Sequence, residues 1–490
     1  MLATLLATCA PVTPAPSAAL AEVRGTWLTT TANDALATPA HTERTMQRLR
    51  EIGLNTVYVE AWKNGYTQYP SQVLARTIGV AQRPAGEPQD PGDSAAQRNA
   101  PPRDLLGEAV TQAHRQGLIA VAWFEYGFMA AHGSTMNRLR QLKPHWLSRD
   151  RAGSELASNG FVWMNPLHPE ARQFLLDLVL EAVDRYDLDG VQLDDRIVWP
   201  YVTMGYDEHT RAVYAAEHGG RSPPDDAHDP SWMRWRATKV NEFARWFVQQ
   251  VRARRPGLLI SLSPAPHPWA WEHYLLDWPT WAAWPAEQRW DEIIPQVYRF
   301  SYPAFEKTWR DQIAALQAAG AYRPQELVAG IRIVGDGADS SWEQLRDSIE
   351  LVRREGQGGH VLWYSRGVLD MHPDALRAHY TAQGPARSPR FPTGWRPPSH
   401  VLARMPGAPG AWSLAGVPAG RYRVIGRADA DAPGAWQSLP DLQLPLQQDR
   451  AMAKPPVLQL PAHLQRVELL LDRRADMAQA LACRRPPGCR

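Results

Sequence analysis

Two adjacent aspartates, Asp194 and Asp195, close a short apolar run in the stretch Tyr186–Arg196, YDLDGVQLDDR. In an extended strand Val191 and Leu193 face one side while Gln192 and Asp194 face the other. Asp195 joins Asp194 only if the chain turns after the strand. A strand that stops on carboxylates delivers them to a turn or to a site. In a site, acid–base work needs a second carboxyl whose proton is retained by burial beside apolar rings. Glu125 stands in such a setting, between Phe124 and Tyr126 and after Trp123.

Other residues able to bind a hydroxylated ligand also lie at or just past the ends of β-type runs. They are Trp62, Asn64 and Tyr66 in EAWKNGY, Trp123 in VAWFEY, Asn165 in VWMNP, and Gln192 before Asp194. Later in the chain come Gln296 and Tyr298 in PQVYR, Arg332 in GIRIV, and Trp363 with Tyr364 in VLWYS. Amides and carboxylates hydrogen-bond hydroxyls, and aromatic rings stack on the apolar faces of sugars.

Eight runs must position these residues: Gly25–Thr30, Thr56–Trp62, Leu118–Tyr126, Gly190–Asp195, Leu258–Ala265, Glu292–Arg299, Leu327–Val334 and Gly359–Ser365. Helical patterns separate them. Thr42–Ile52 stops at Gly53, and Asp104 caps a helix running to Gly117. Pro169 opens PEARQFLLDLVLEAVDRY, whose apolar residues recur at helical spacing, and Lys239–Val251 repeats the pattern. Eight alternating units predict an α/β fold, a (β/α)8 TIM-type barrel with long loops, and an open doubly wound sheet is the alternative. Val80–Arg103 and Trp199–Arg236 read as long loops on the face where barrel sites lie. Residues 381–400 read as a Pro-rich linker, and 401–490 as a small β domain.

The chain has 490 residues, 21 of them Trp, and a net charge of +2 without any Lys/Arg-rich run, so nucleic acid is not an expected partner. No run reaches the roughly 18 apolar residues of a membrane span. Residues 1–21 resemble an export signal, and Leu6-Ala7-Thr8-Cys9 resembles a lipoprotein box that would place a lipid on Cys9. Export to the periplasm or cell envelope is therefore expected. Cys483 and Cys489 could pair in an oxidising compartment, and the main domain has no thiol for catalysis or metal binding.

The motifs WKNGYTQYPS, WFEYGFMA, VWMNPLHPEARQFLLDLVLEAVDRYDLDGVQLDD, ISLSPAP and IIPQVYR resemble, in order and spacing, bacterial family-10-like glycosyl hydrolases, closest to a cyanobacterial-type branch related to the α-amylase clan. The resemblance spans residues 22–380. It implies a barrel enzyme of the cell envelope acting on a polysaccharide, with peptide-free peptidoglycan strands proposed for some members, and no cofactor. It places the strand-four nucleophile at Asp194. Two departures stand out: Gln192 replaces the clan's arginine, and LLISLSPAP carries no strand-five carboxylate. The proton donor must come from elsewhere, with Glu125 and Asp195 the local candidates.

Ordinary structural roles compete with these. Asp187 and Asp189 are expected to shape the turn into the fourth strand, and Asp195 to pair with Arg196 as readily as to catalyse. His114, His145 and His168 lack metal-ligand spacing, so no metal is expected. Three other functions compete. A chitinase-type mechanism lacks its aspartate and glutamate at Gln192 and Arg196. A metal-dependent deacetylase lacks nearby histidines. A non-catalytic glycan-binding barrel is the main rival, favoured by the absent strand-five carboxylate.

Overall fold

The computed structural model describes residues 19–87, 90, 94–356, 358–445 and 456–474. Cys9, Cys483, Cys489 and most of the signal-like segment lie outside these residues.

Parallel strands follow one another around a barrel: β1 Val23–Leu28, β2 Thr56–Glu60, β3 Ile119–Phe124, β4 Gly190–Asp194 and β5 Leu259–Ser263, then β6, interrupted as Glu292–Ile293 and Gln296–Val297, β7 Ala329–Arg332 and β8 Gly359–Trp363. The first half of β6 pairs with β5 and the second with β7, so the two edges of the sheet are halves of one strand. Pro295 sits at the break, where a residue without an N–H removes least. The chain is thus a (β/α)8 barrel, not an open sheet.

Long helices alternate with the strands: α1 Pro39–Ile52, α2 Leu105–Arg115, α3 Pro169–Arg185, α4 Pro230–Arg254, α5 Tyr302–Ala318, α6 Trp342–Arg354 and α7 Pro373–Gln383. Thr38 accepts from the His41 N–H at the start of α1, and Gly53 takes φ 109° beyond its end. Asp104 caps α2 as its sequence implies. Where β5 should be followed by a long helix there are only the short helices Trp269–Tyr274 and Trp278–Ala282.

The lumen is filled by a polar belt. Trp27 Nε1 donates to Gln192 Oε1 at 2.7 Å, and Gln192 Nε2 donates to Ser261 Oγ at 2.9 Å. Ser261 and the Tyr58 hydroxyl both donate to Glu292 Oε1, at 2.9 and 2.8 Å. Each buried polar group in this belt has a partner, as a low-dielectric interior demands.

Beyond α7 the chain forms a four-stranded sheet (400–401, 466–471, 420–427, 437–444) and a three-stranded one (403–404, 411–413, 457–459), around Trp412, Tyr422, Val424, Leu464, Val467 and Leu469. The Pro-rich segment before it is packed against the barrel. Trp395 Nε1 donates to Asp189 Oδ1 at 2.9 Å, while Arg396 reaches Asp189 at 2.9 Å and Asp187 at 2.8 Å. His114 Nδ1 accepts from Arg423 at 2.7 Å, which leaves its Nε2–H to donate to Asp189 at 3.0 Å. Burial holds that imidazole neutral, its pKa lowered to about 4. Arg115 adds a pair to Glu468 at 2.8 Å. Asp187 and Asp189, read from sequence as turn-shaping residues, anchor the strap at the N-terminal end of β4.

Candidate active site

At the opposite end of β4, Asp194 is 3% exposed, and its carboxylate collects four donors. Trp123 Nε1 donates to Oδ2 at 3.0 Å and Arg196 Nη1 to the same oxygen at 3.1 Å. The Asp195 N–H donates to Oδ1 at 2.7 Å, and Gln296 Nε2 donates to it as well. Burial and the neighbouring Asp195 push the Asp194 pKa up, against the pull of Arg196 and the Asp195 N–H. Four donors leave little room for a proton on this group, so a proton shared among these carboxyls has a better seat on Glu125.

Glu125 lies one residue past β3, 8% exposed. Its Oε1 is 3.5 Å from Arg196 Nη1, and its Oε2 is buried without any hydrogen-bond partner. Burial raises its pKa to about 7, opposed by Lys63 and Arg196 and assisted by Glu60 and Asp90. Asp195 is half-buried, with Oδ1 3.8 Å from Arg196 Nε and otherwise unpartnered. Arg196 therefore joins all three carboxylates. Burial works against its charge, but Asp194, Asp195 and Glu125 more than offset this and hold the guanidinium protonated.

The loop geometry that permits this depends on Gly127, at φ 46°, where an added Cβ would meet the Arg196 carbonyl oxygen at 2.5 Å. The Phe128 N–H donates to the same carbonyl at 2.8 Å. Beneath Glu125, Lys63 is buried beside Glu60 (3.6 Å) and Asp90 (3.2 Å) and donates to Thr31 Oγ1.

An aromatic wall faces the acids. Tyr298 stacks on Trp363, centroids 5.6 Å apart, and Trp363 meets Trp123 edge-on at 5.9 Å and Trp27 at 5.8 Å. Tyr298 and Trp363 are partly exposed, so this wall is open to a ligand. Tyr364 follows Trp363 across a cis peptide and lies 5.7 Å from the Arg366 guanidinium. Arg332 stands beside Trp363 in register on β7.

Five residues expected to bind ligand are committed elsewhere. Gln192 belongs to the lumen belt. Trp62 is fully buried, donates to the Gly127 carbonyl at 3.1 Å and packs on Phe174. Asn64 and Gly65, at φ 47° and 86°, form the two-residue turn of a hairpin between Trp62–Lys63 and Tyr66–Thr67, and Asn64 Oδ1 accepts from the His132 N–H. The Asn-Gly pair was itself the signal for such a turn. Tyr66 is 1% exposed and donates to Glu87. Asn165 donates to Asp207 and Thr210 and so fixes the loop after β4. Arg196, Lys63 and Glu60 were missed. Their sequence positions, two after Asp194 and flanking Trp62, carried the signal only once strand ends were known. Among the described residues no group of three His, Cys, Asp or Glu side chains is arranged to hold a metal.

The model of the glycosyl hydrolase-like 10 family matches residues 22–333, the span that carries the three acids, Arg196 and Tyr298, while Trp363 and Tyr364 lie beyond it. The chain belongs to that family. Relatives include glycosyl hydrolase YngK of Bacillus subtilis, 25% identical over 216 residues (44% of this chain, 38% of that protein). Glycosyl hydrolase DigH of Escherichia coli K12 is 23% identical over 231 residues (45% and 46%). The match thus spans less than half the length of either relative. Among solved structures, the PgaB (BpsB) glycoside hydrolase domain of Bordetella bronchiseptica aligns with TM-score 0.52 at 14% identity, covering 73% of this chain and 98% of that one. The catalytic domain of β-amylase from Paenibacillus polymyxa aligns with TM-score 0.50 at 9% identity, covering 75% and 99%. These two likenesses establish the barrel fold.

Proposed function

We propose that this family member is a glycoside hydrolase that cleaves O-glycosidic bonds in a bacterial envelope polysaccharide, with peptide-free peptidoglycan strands the leading substrate. The observation that carries the reading is the pairing of unlike carboxyls: Asp194 ringed by four donors, and Glu125 buried with a bare Oε2 and a pKa near neutrality. Glu125 gives its proton to the leaving glycosidic oxygen while Asp194 meets the positive charge developing at the anomeric carbon, as attacking group or counter-ion. Glu125 then takes a proton from the incoming water. One guanidinium nitrogen touches both groups, at 3.1 and 3.5 Å, so their nearest oxygens are no further apart than the sum of these distances. The signal-like N-terminus supports a place in the cell envelope, with a lipid on Cys9 as the proposed anchor.

A second reading, glycan binding without turnover, is favoured by β5 ending on Ser263 instead of a carboxylate. Turnover of peptide-free glycan strands by wild type, Asp194→Asn and Glu125→Gln separates the two. Release of new reducing ends by wild type only, with binding retained in the variants, supports the enzyme. Binding by all three without cleavage supports the binder.

A further inference from the structure

Arg332 ends β7 with its side chain on the lumen parity, beside its register partner Trp363. Its residue exposure is only 4%. One terminal nitrogen donates to the Asp336 carbonyl at 2.8 Å, while Nη1 is buried with no partner. The Phe300 ring covers the guanidinium at 4.6 Å, and Phe300 itself is 62% exposed. Gly337 makes this possible, because a Cβ there would meet the Phe300 ring at 2.7 Å. Asp336 and Asp339 lie on the same loop and attract the guanidinium from a distance, yet among the described residues Arg332 forms no ion pair within 4 Å. A buried cation with a bare donor is costly unless an anion completes it.

We propose that Arg332 and Phe300 form a subsite for a sugar that carries a carboxylate: the ring face supports the sugar, and the planar guanidinium receives its carboxylate through Nη1. This deepens, and rests on, the reading of the cleft as a glycan site. The aromatic pair Trp363–Tyr298 links the subsite to Asp194, so substrate preference is set at β7 while the bond is broken at β4. Arginine suits this role because its flat fork pairs with carboxylates and stacks on rings at once, which lysine cannot match.

The test measures affinity, so that it stands apart from turnover. Peptide-free glycan strands with free lactyl carboxylates, and the same strands with those groups reduced to alcohols, are titrated into Asp194→Asn and into Asp194→Asn combined with Arg332→Gln. The expected result is a roughly 10- to 100-fold preference for the acidic strands that collapses towards one when Arg332 is replaced. Arg332→Lys, which keeps the charge, should retain only part of the preference, and it serves if the glutamine variant fails to fold. Equal affinity for both strands in the Arg332-bearing protein overturns the proposal, as does a preference that survives both replacements, or no binding of either strand. Binding with the expected preference but without cleavage by the wild type would instead overturn only the hydrolase reading.

Discussion

Arg196 grips Glu125 at two points, donating from Nη1 to its backbone carbonyl at 3.0 Å and standing 3.5 Å from its carboxylate. The first contact fixes where the residue sits, and the second regulates how readily it loses its proton. One cation thereby sets both the position and the acidity of the group proposed to protonate the leaving oxygen.

Replacing Arg196 by Gln should therefore remove more than one contact. Asp194, Glu125 and Asp195 lose their shared counter-charge, and the expected cost at pH 7 is about 3–5 kcal/mol of stability. At pH 5 the loss should be smaller, because carboxyls with raised pKa values can take up protons. Urea unfolding at the two pH values measures this, and an equal loss at both would show that the cluster is not what Arg196 compensates.

Glu125 predicts a pH profile. Turnover should decline as pH rises through about 7, when the acid ionises. Glu125→Gln should lower turnover by about 10²- to 10⁴-fold and abolish that decline. The sign for stability follows from the same shift. Between the ordinary value of 4.5 and about 7 the folded chain keeps a proton that the unfolded chain releases, so folding loses stability as pH rises across this window. Relative to wild type, Glu125→Gln should gain about 1–3 kcal/mol on going from pH 4.5 to pH 8. Unfolding curves that stay parallel across that range would refute it.

Asp194→Asn and Asp195→Asn should differ in both activity and stability. An amide at Asp194 turns an NH₂ against groups that are themselves donors, at a cost of about 1–3 kcal/mol. It also removes the anion, so turnover should fall by several orders of magnitude. At Asp195, where Oδ1 makes no hydrogen bond, the amide should cost under about 0.5 kcal/mol and far less activity. Calorimetry paired with single-turnover kinetics checks both halves. A larger stability loss at Asp195 would mean that its carboxylate, not Asp194, holds the loop.

Much of this was legible from the sequence. The parity of Gln192 and Asp194 against Val191 and Leu193 places two polar residues in the lumen, and it does so because helix packing demands apolar residues outside. Parity alone could not say which of the two reaches the rim: Gln192 lies one layer lower and is consumed by Trp27 and Ser261. Likewise the WKNGY motif lies at a strand end, but its Asn-Gly pair bends Trp62 and Tyr66 back into the protein. Arg196 was read as a neighbour of Asp195 alone. Its reach to Glu125 arises from the loop after β3 folding across β4, a long-range contact with no local signature.

Arg396→Ala should detach the strap from Asp187 and Asp189. Two fully buried carboxylates would lose their principal cation, since burial alone would raise their pKa values and Arg396 is what pulls them below the ordinary range. About 3–5 kcal/mol should be lost at pH 7. The cleft lies at the other end of the barrel, so turnover per folded molecule should be unchanged below the melting temperature. A drop in turnover without loss of melting temperature would place the strap's role in catalysis.

The same strap sets the direction in which the molecule faces. Leu20 and Ala21 run parallel to Ala386 and Arg387, and β1 rises from there towards the rim that carries the acids. The upstream chain and the C-terminal sheets consequently leave from one pole, and the cleft opens at the other.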